Sequence, residues 1–124
     1  MSRNFDSHIL KFSQIIAGIN NIASNPEIKP EERKSKFEEF MSTQDTSFFE
    51  ESEKAGDLQI LEELKNSNEN QQEALMEKFR NYEYSHKQFL VKFMEYVYMG
   101  GQLTEESDVE VRRYWFEKLK SSIA

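Results

Sequence analysis

The chain has 124 residues, no cysteine and a net charge of −7. A chain of this length predicts a single domain, residues 1–124, that buries a core without disulfides or a thiolate metal site. The negative charge disfavours direct nucleic-acid binding and favours another protein, of basic character, as the partner. Asp6 and His8 interrupt any secretory apolar segment. No apolar run approaches the roughly 20 residues of a transmembrane helix, so we expect a cytoplasmic protein without membrane contact.

The composition favours helices built around aromatic rings. Glycine (4) and proline (2) are scarce, and ten phenylalanines dominate an aromatic content of 13%. These features predict an all-α fold, a single-domain helical bundle of about five helices. Residues 27–63 hold five basic and twelve acidic side chains, so this stretch carries all of the net charge. A basic partner would be attracted to it.

The first predicted helix covers residues 6–24. Its apolar residues alternate spacings of four and three, which places them on one face. They are Phe5, Ile9, Phe12, Ile16, Ile19 and Ala23. Gly18 lies in the interior of this helix, where glycine is unfavourable relative to alanine, so we expect a neighbouring element to pack closely against it.

Two further helix starts follow in the second quarter of the chain. Pro30 precedes two glutamates, a sequence typical of a first helical turn. Ser47 and Glu50 have the spacing of a capping box, which predicts a short third helix over residues 48–55. Gly56 would end that helix.

Asp57 can cap a fourth helix, whose length is ambiguous. The four-three register of Leu58 and Leu61 continues to Leu75 through a polar stretch at residues 66–72, where polar residues occupy the register positions. One helix from residue 57 to residue 99 and two helices with a break both fit the pattern. We favour the break, because asparagine and serine compete with the helix by bonding their own backbone.

Residues 75–98 carry the longest aromatic stripe of the chain. Its members are Leu75, Phe79, Tyr82, His86, Phe89, Phe93 and Tyr96. Their spacing predicts a continuous helix that ends at Gly100 and Gly101. Thr104, followed by two glutamates, then predicts the start of the last helix. The first helix, this helix and the last helix are expected to form the core.

A short motif within that stripe suggests one kind of chemistry. Arg80 is followed by Asn81 and, six positions after the arginine, by His86. This motif resembles the Arg-x(4–6)-His signature of HEPN-type ribonucleases, which are small all-helical domains. The resemblance implies that Arg80 would hold a phosphodiester and His86 would transfer a proton, commonly at a dimer interface. His86 lies on the apolar face, so burial against a polar neighbour is the alternative interpretation.

Glu83 and His86 share the spacing of di-iron bundle ligands. Such a site requires a second Glu-x-x-His and two further glutamates. His8 is the only other histidine, and no such motif surrounds it. We therefore expect no metal and no cofactor.

Aromatic and acidic residues outside the stripe suggest a docking surface. Adjacent aromatic residues on a short helix cannot all point inward, and aromatic residues are enriched at interface hot spots. The candidate partner-binding residues are Phe48, Phe49, Glu50, Glu51, Glu53, Tyr98 and Trp115.

The sequence therefore predicts a small, acidic, non-catalytic protein-binding module of the adaptor, inhibitor or immunity type. Charge would accelerate encounter with the partner, and buried rings would hold the complex. Two alternatives remain: a HEPN-like ribonuclease that uses Arg80 and His86, and an acidic mimic of nucleic acid. Either a monomer or a homodimer is compatible with the helical stripes.

Overall fold

A computed structural model describes residues 4–123, which form seven α-helices and one short 3₁₀ helix. The predicted all-α class is confirmed, and the expected number of about five helices is too low. The elements are α1 (Phe5–Ser24), a 3₁₀ turn (Pro30–Glu32), α2 (Arg33–Ser42), α3 (Ser47–Lys54), α4 (Asp57–Asn66), α5 (Glu69–Arg80), α6 (Tyr84–Thr104) and α7 (Val109–Ile123). No helix in this range is both long and apolar enough to cross a membrane.

Helix α1 follows the prediction closely. The backbone N–H of Ser7 donates to Asn4 Oδ1 at 3.2 Å, which satisfies one amide of the first turn. The helix ends at Asn25, whose backbone is extended. One face of α1 is buried, including Phe12 at 0% and Ile19 at 0% exposure. The sequence was sufficient to predict this helix, because the capping residue and the spacing of the apolar residues indicate the same helix start.

Helix α2 packs against α1 and α6 through two aromatic rings. A Cβ at Gly18 in α1 would collide with the ring of Phe40. A Cβ at Gly100 in α6 would lie 3.3 Å from Phe37 Cζ. The close packing predicted at Gly18 is therefore confirmed. None of the α2 residues is fully buried, so the two rings provide the main attachment of this helix.

Helix α3 forms where it was predicted, but its start uses a different cap. No side chain of the predicted capping box, Ser47 with Glu50, caps the helix. Instead Asp45 Oδ1 accepts from the backbone N–H of Ser47 at 3.1 Å and from its hydroxyl at 2.7 Å. Gly56 follows α3 with a left-handed φ of 87°, which glycine adopts without strain.

The polar stretch after α4 does break the chain into two helices, as we favoured. Ser67 and Asn68 separate α4 from α5. Asn68 caps α5: its Oδ1 accepts from the N–H of Gln71 at 3.0 Å, and the Gln71 side chain accepts from the Asn68 N–H at 3.1 Å. This reciprocal pair is a capping box that favours a new helix start over continuation.

The continuous helix predicted over residues 75–98 is wrong. Helix α5 ends at Arg80, and α6 begins at Tyr84. Asn81 closes α5 through its backbone N–H, and Glu83 has the extended backbone of a residue that precedes a new helix. The apolar spacing persists across the break because both helices bury residues in the same core, Phe79 in α5 and Phe89 in α6.

The prediction that Gly100 and Gly101 end a helix is also wrong. Helix α6 continues to Thr104 and ends at Glu105, which has a left-handed φ of 56°. Gly101 packs closely against α7, since a Cβ there would lie 2.9 Å from Arg112 Nη1 and 3.1 Å from Val109 Cγ2. Thr104 does not start α7. Its hydroxyl donates to the Gly100 carbonyl at 3.1 Å within α6.

Helix α6 is central, with its most extensive packing against α1 and α7. The predicted packing of the first and last helices on a long helix is thus found for α6, but the core also includes buried residues of α3, α4 and α5. The inner side of α6 carries Phe89 and Phe93, which lie with Phe12 of α1 in a cluster of rings. Edge-to-face and tilted ring pairs of this kind add to the free energy gained by burying apolar area.

Candidate functional site

The most unusual polar contact in the core joins Asp57 and His86. Asp57 is the first residue of α4 and is 0% exposed, and His86 lies in the first turn of α6. His86 Nε2 lies 2.8 Å from Asp57 Oδ1. This distance is that of a hydrogen bond between the imidazole and the carboxyl group. Asp57 was predicted as a helix cap; instead it links α4 to α6.

Aromatic rings surround the imidazole of His86. Phe5 stacks on it with centroids 4.7 Å apart and an interplanar angle of 16°. Tyr82 lies on the polypeptide between α5 and α6, with its centroid 4.3 Å away. Burial, followed by the negative charges of Asp57 and Glu63, raises the pKa of the Tyr82 hydroxyl. The phenol therefore stays protonated beside Asp57 at neutral pH.

The second histidine, His8, makes a similar contact with Glu51, which precedes Asp57 by six residues in the sequence. His8 Nε2 lies 3.4 Å from Glu51 Oε2, and the His8 ring stacks on Phe48 at 5.2 Å. Both histidines thus contact carboxylates within residues 51–57, one from α1 and one from α6. These contacts attach the end of α3 and the start of α4 to the core.

Arg80 and His86 lie on different helices and have different partners. Arg80 ends α5, and both terminal nitrogens of its guanidinium lie within 3.4 Å of Glu73 Oε1 on the same helix. Its side chain is 48% exposed. The imidazole of His86 is directed at Asp57 instead. A shared phosphodiester would require Arg80 to leave Glu73.

The predicted partner-binding aromatics are partly or wholly internal. Phe48 is 3% exposed and Trp115 is 2% exposed, so neither reaches a partner without local opening. Phe49 is half-buried and stacks on Phe12 at 5.3 Å. Tyr98 is half-buried and stacks on Phe116 at 6.2 Å. The adjacent rings of α3 therefore both pack inward, because Phe48 contacts rings of α1 and Phe49 contacts rings of both α1 and α6.

The predicted acidic residues do reach solvent. Glu50, Glu51 and Glu53 are exposed on α3, while Ser52 between them is buried. Glu51 contacts His8. Within the described residues no ion pair involves Glu50 or Glu53. These two side chains are therefore available to a basic partner.

We call residues 47–80, which form α3 to α5, the acidic segment. It contains nine acidic and four basic side chains, whereas residues 81–123 contain seven and six. The excess of acidic over basic side chains lies in residues 47–63, because residues 64–80 contain three acidic and three basic side chains. Sequence reasoning missed Glu69, Glu73 and Glu77, three exposed residues spaced one helical turn apart on α5.

Between residues 4 and 123, no three potential ligand side chains of the His, Cys, Asp or Glu type are grouped to hold a metal ion. Comparison of the chain with models of protein families, with curated proteins and with solved structures found no match. The functional interpretation therefore rests on the acidic segment. Its exposed side carries carboxylates, and two histidine–carboxylate contacts attach it to the core.

Proposed function

We propose that this chain is a non-catalytic protein-binding module of the adaptor, inhibitor or immunity type, and that its acidic segment docks a basic protein. One observation carries the proposal: the acidic segment directs carboxylates to solvent while its inner side is fixed to the core. Glu50 and Glu53 have no cationic partner among the described side chains, so a basic partner gains their full attraction. The absence of cysteine supports a cytoplasmic location.

A preorganised surface favours this role over a flexible acidic tail. His8–Glu51 and His86–Asp57 hold α3 and α4 at both sides of Gly56. A partner that binds there does not have to order the segment first, and this lowers the entropic cost of association.

The test is a charge reversal on α3 with a matched control elsewhere. A partner is first captured from the native host and purified. Glu50→Lys combined with Glu53→Lys should then weaken its binding by about tenfold or more, as expected for loss of two favourable charges. Glu31→Lys combined with Glu32→Lys makes the same charge change on the 3₁₀ turn and should have a smaller effect. Unchanged affinity of the α3 variant, with its melting curve intact, would overturn the proposal.

A nucleic-acid mimic is a second candidate, supported by the geometry of α5. Glu69, Glu73 and Glu77 recur every four residues, which separates them by about 6 Å along the helix axis. Such a row offers regularly spaced carboxylates to a DNA-binding protein, although Arg80 pairs with the middle one, Glu73. If this proposal is correct, duplex DNA will compete with the chain for the captured partner, and Glu69→Gln with Glu77→Gln will weaken binding more than the α3 variant does.

The ribonuclease alternative is supported by the carboxylate–imidazole pair, since a buried carboxylate orients an imidazole for proton transfer in many hydrolases. Incubation of the folded protein with total RNA tests it. Cleavage that is lost in His86→Gln and Arg80→Gln, but retained in the control Lys78→Gln, would replace the binding proposal with the nuclease. Intact RNA would remove the nuclease.

A further inference from the structure

An apolar groove lies on the outer side of α6, between α1 and α7. Its volume is about 320 Å³, and Val91 and Phe116 form a floor that is only 7% and 9% exposed. Ile9 of α1 and Ile123 of α7 form the two walls. Val91 follows Phe89 by two positions, about 200° around the helix, so the groove opens away from the aromatic core.

The rim of this groove differs in charge from the acidic segment. Lys92 and Lys120 stand at its two sides with Gln88 and Glu95 between them. Lys92 Nζ lies 3.5 Å from Glu95 Oε2. Lys120 makes no ion pair with any residue between 4 and 123, and its ammonium lies 5.6 Å from the Phe116 ring centroid. The charged rim is thus net positive on a molecule of net charge −7.

We propose that this groove binds an acidic amphipathic helix of another protein. The floor accepts the apolar side of such a helix, and the two lysines meet acidic residues along its flanks. Charge determines which helix binds at which surface. A basic helix is attracted to the acidic segment, whereas an acidic helix is repelled from that segment. Along α6 the groove extends from Gln88 to Glu95, a rise of about 10 Å or two helical turns, which is enough to receive two turns of a bound helix.

This inference does not depend on the acidic segment being a docking surface. If both proposals hold, the molecule joins a basic protein on one surface and an acidic helix on another, as an adaptor does. Charge reversal on α3 leaves the groove intact, so the failure of one proposal is distinguishable from the failure of the other.

A labelled peptide of about 15 residues, with leucines on one helical face and glutamates beside them, is the probe. Fluorescence anisotropy measures its binding to the full chain. Lys92→Glu with Lys120→Glu should weaken binding by about tenfold, and the wall variant Ile123→Glu by a similar factor. Lys29→Glu with Lys34→Glu repeats the charge change outside the groove, and Val111→Glu repeats the apolar-to-acid change on the far side of α7. Both controls should stay within about threefold of the unsubstituted chain.

The outcomes separate the possible occupants. Equal binding by groove and control variants, or no saturation at millimolar protein, overturns the proposal. A homodimer in sedimentation equilibrium that Ile123→Glu dissociates assigns the groove to a second copy and also overturns it. Adsorption to anionic vesicles that requires Ile123, without peptide binding, assigns the groove to lipid instead. The proposal is supported if the NMR chemical shifts of the Val91 and Ile123 methyl groups change when the peptide is added. A lysine-flanked peptide should cause no such change.

Discussion

Helices α5 and α6 are consecutive in the chain but differ in what surrounds them. Helix α6 buries eight residues, because α1 and α7 cover it from two sides. Helix α5 buries only Met76 and Phe79 and directs a row of glutamates to solvent. Helix α6 thus supplies much of the core, whereas α5 carries its charged side chains on the side that faces solvent.

The largest effect should come from truncating a ring on the inner side of α6. Phe89 is 0% exposed and contacts the rings of Phe5, His8, Phe12 and Phe93. Phe89→Ala should lower the free energy of unfolding by about 3–5 kcal/mol, measured by urea denaturation, because it leaves a cavity. Tyr84→Ala removes a ring that is 58% exposed on the same helix and should cost far less. Equal costs would show that α6 is not the centre of the core.

The next effect tests the link between the core and the acidic segment. Asp57→Ala removes a buried carboxylate from His86 and should cost about 3 kcal/mol. A double-mutant cycle with His86→Ala isolates the pair and should give a coupling of about 1–3 kcal/mol. Glu53→Ala, an exposed acid in the neighbouring helix, is the control and should change stability little. A coupling near zero would contradict the role of the pair as an attachment.

A smaller effect is expected where α2 meets the core helices. Gly18→Ala gains helix propensity in α1 but places a Cβ against the Phe40 ring, so α2 must shift. We expect a net loss of about 1–2 kcal/mol and faster amide exchange in α2. Gly100→Ala should have a smaller effect than Gly18→Ala, because its Cβ would lie 3.3 Å from Phe37 Cζ, a contact that a small shift of the ring relieves. Adding Phe40→Ala should remove the exchange difference caused by Gly18→Ala, whereas an unchanged difference would point to another cause.

The sequence predicted those elements whose signals are local. Helix α1 has its cap at Asn4 and its apolar period within the same twenty residues. The break after Arg80 was missed, because α5 and α6 both continue one apolar rhythm into the same core. Gly100 and Gly101 were interpreted as a helix terminator. The side chains that pack against them, Phe37 and Arg112, come from other helices, so the sequence around the two glycines did not reveal this packing.

The candidate site shows the same division. The apolar position of His86 indicated burial beside a polar neighbour, but its partner lies 29 residues earlier. Asp57 follows Gly56 at a helix start, so its local sequence predicted a helix cap. Nothing in that local sequence indicated its contact with His86 of α6. The exposure of Glu50 and Glu53 followed from their charge. The burial of Phe48 did not follow from any local pattern, because it packs against rings of α1, which are distant along the chain.

The smallest effect concerns the start of α3, where the acidic segment begins. Hydrogen bonds from the Ser47 side chain, followed by Lys11, lower the pKa of Asp45 from 3.8 to about 2. A carboxyl group with a depressed pKa in the folded chain stabilises it above pH 3.8, and this contribution disappears as the pH falls toward 2. Ser47→Ala removes the largest cause, so an NMR titration should show the Asp45 pKa moving upward. Lys11→Met should produce a smaller shift in the same direction. If Lys11→Met instead has the larger effect, the ion pair to α1, and not the turn before α3, holds this carboxylate in its charged form.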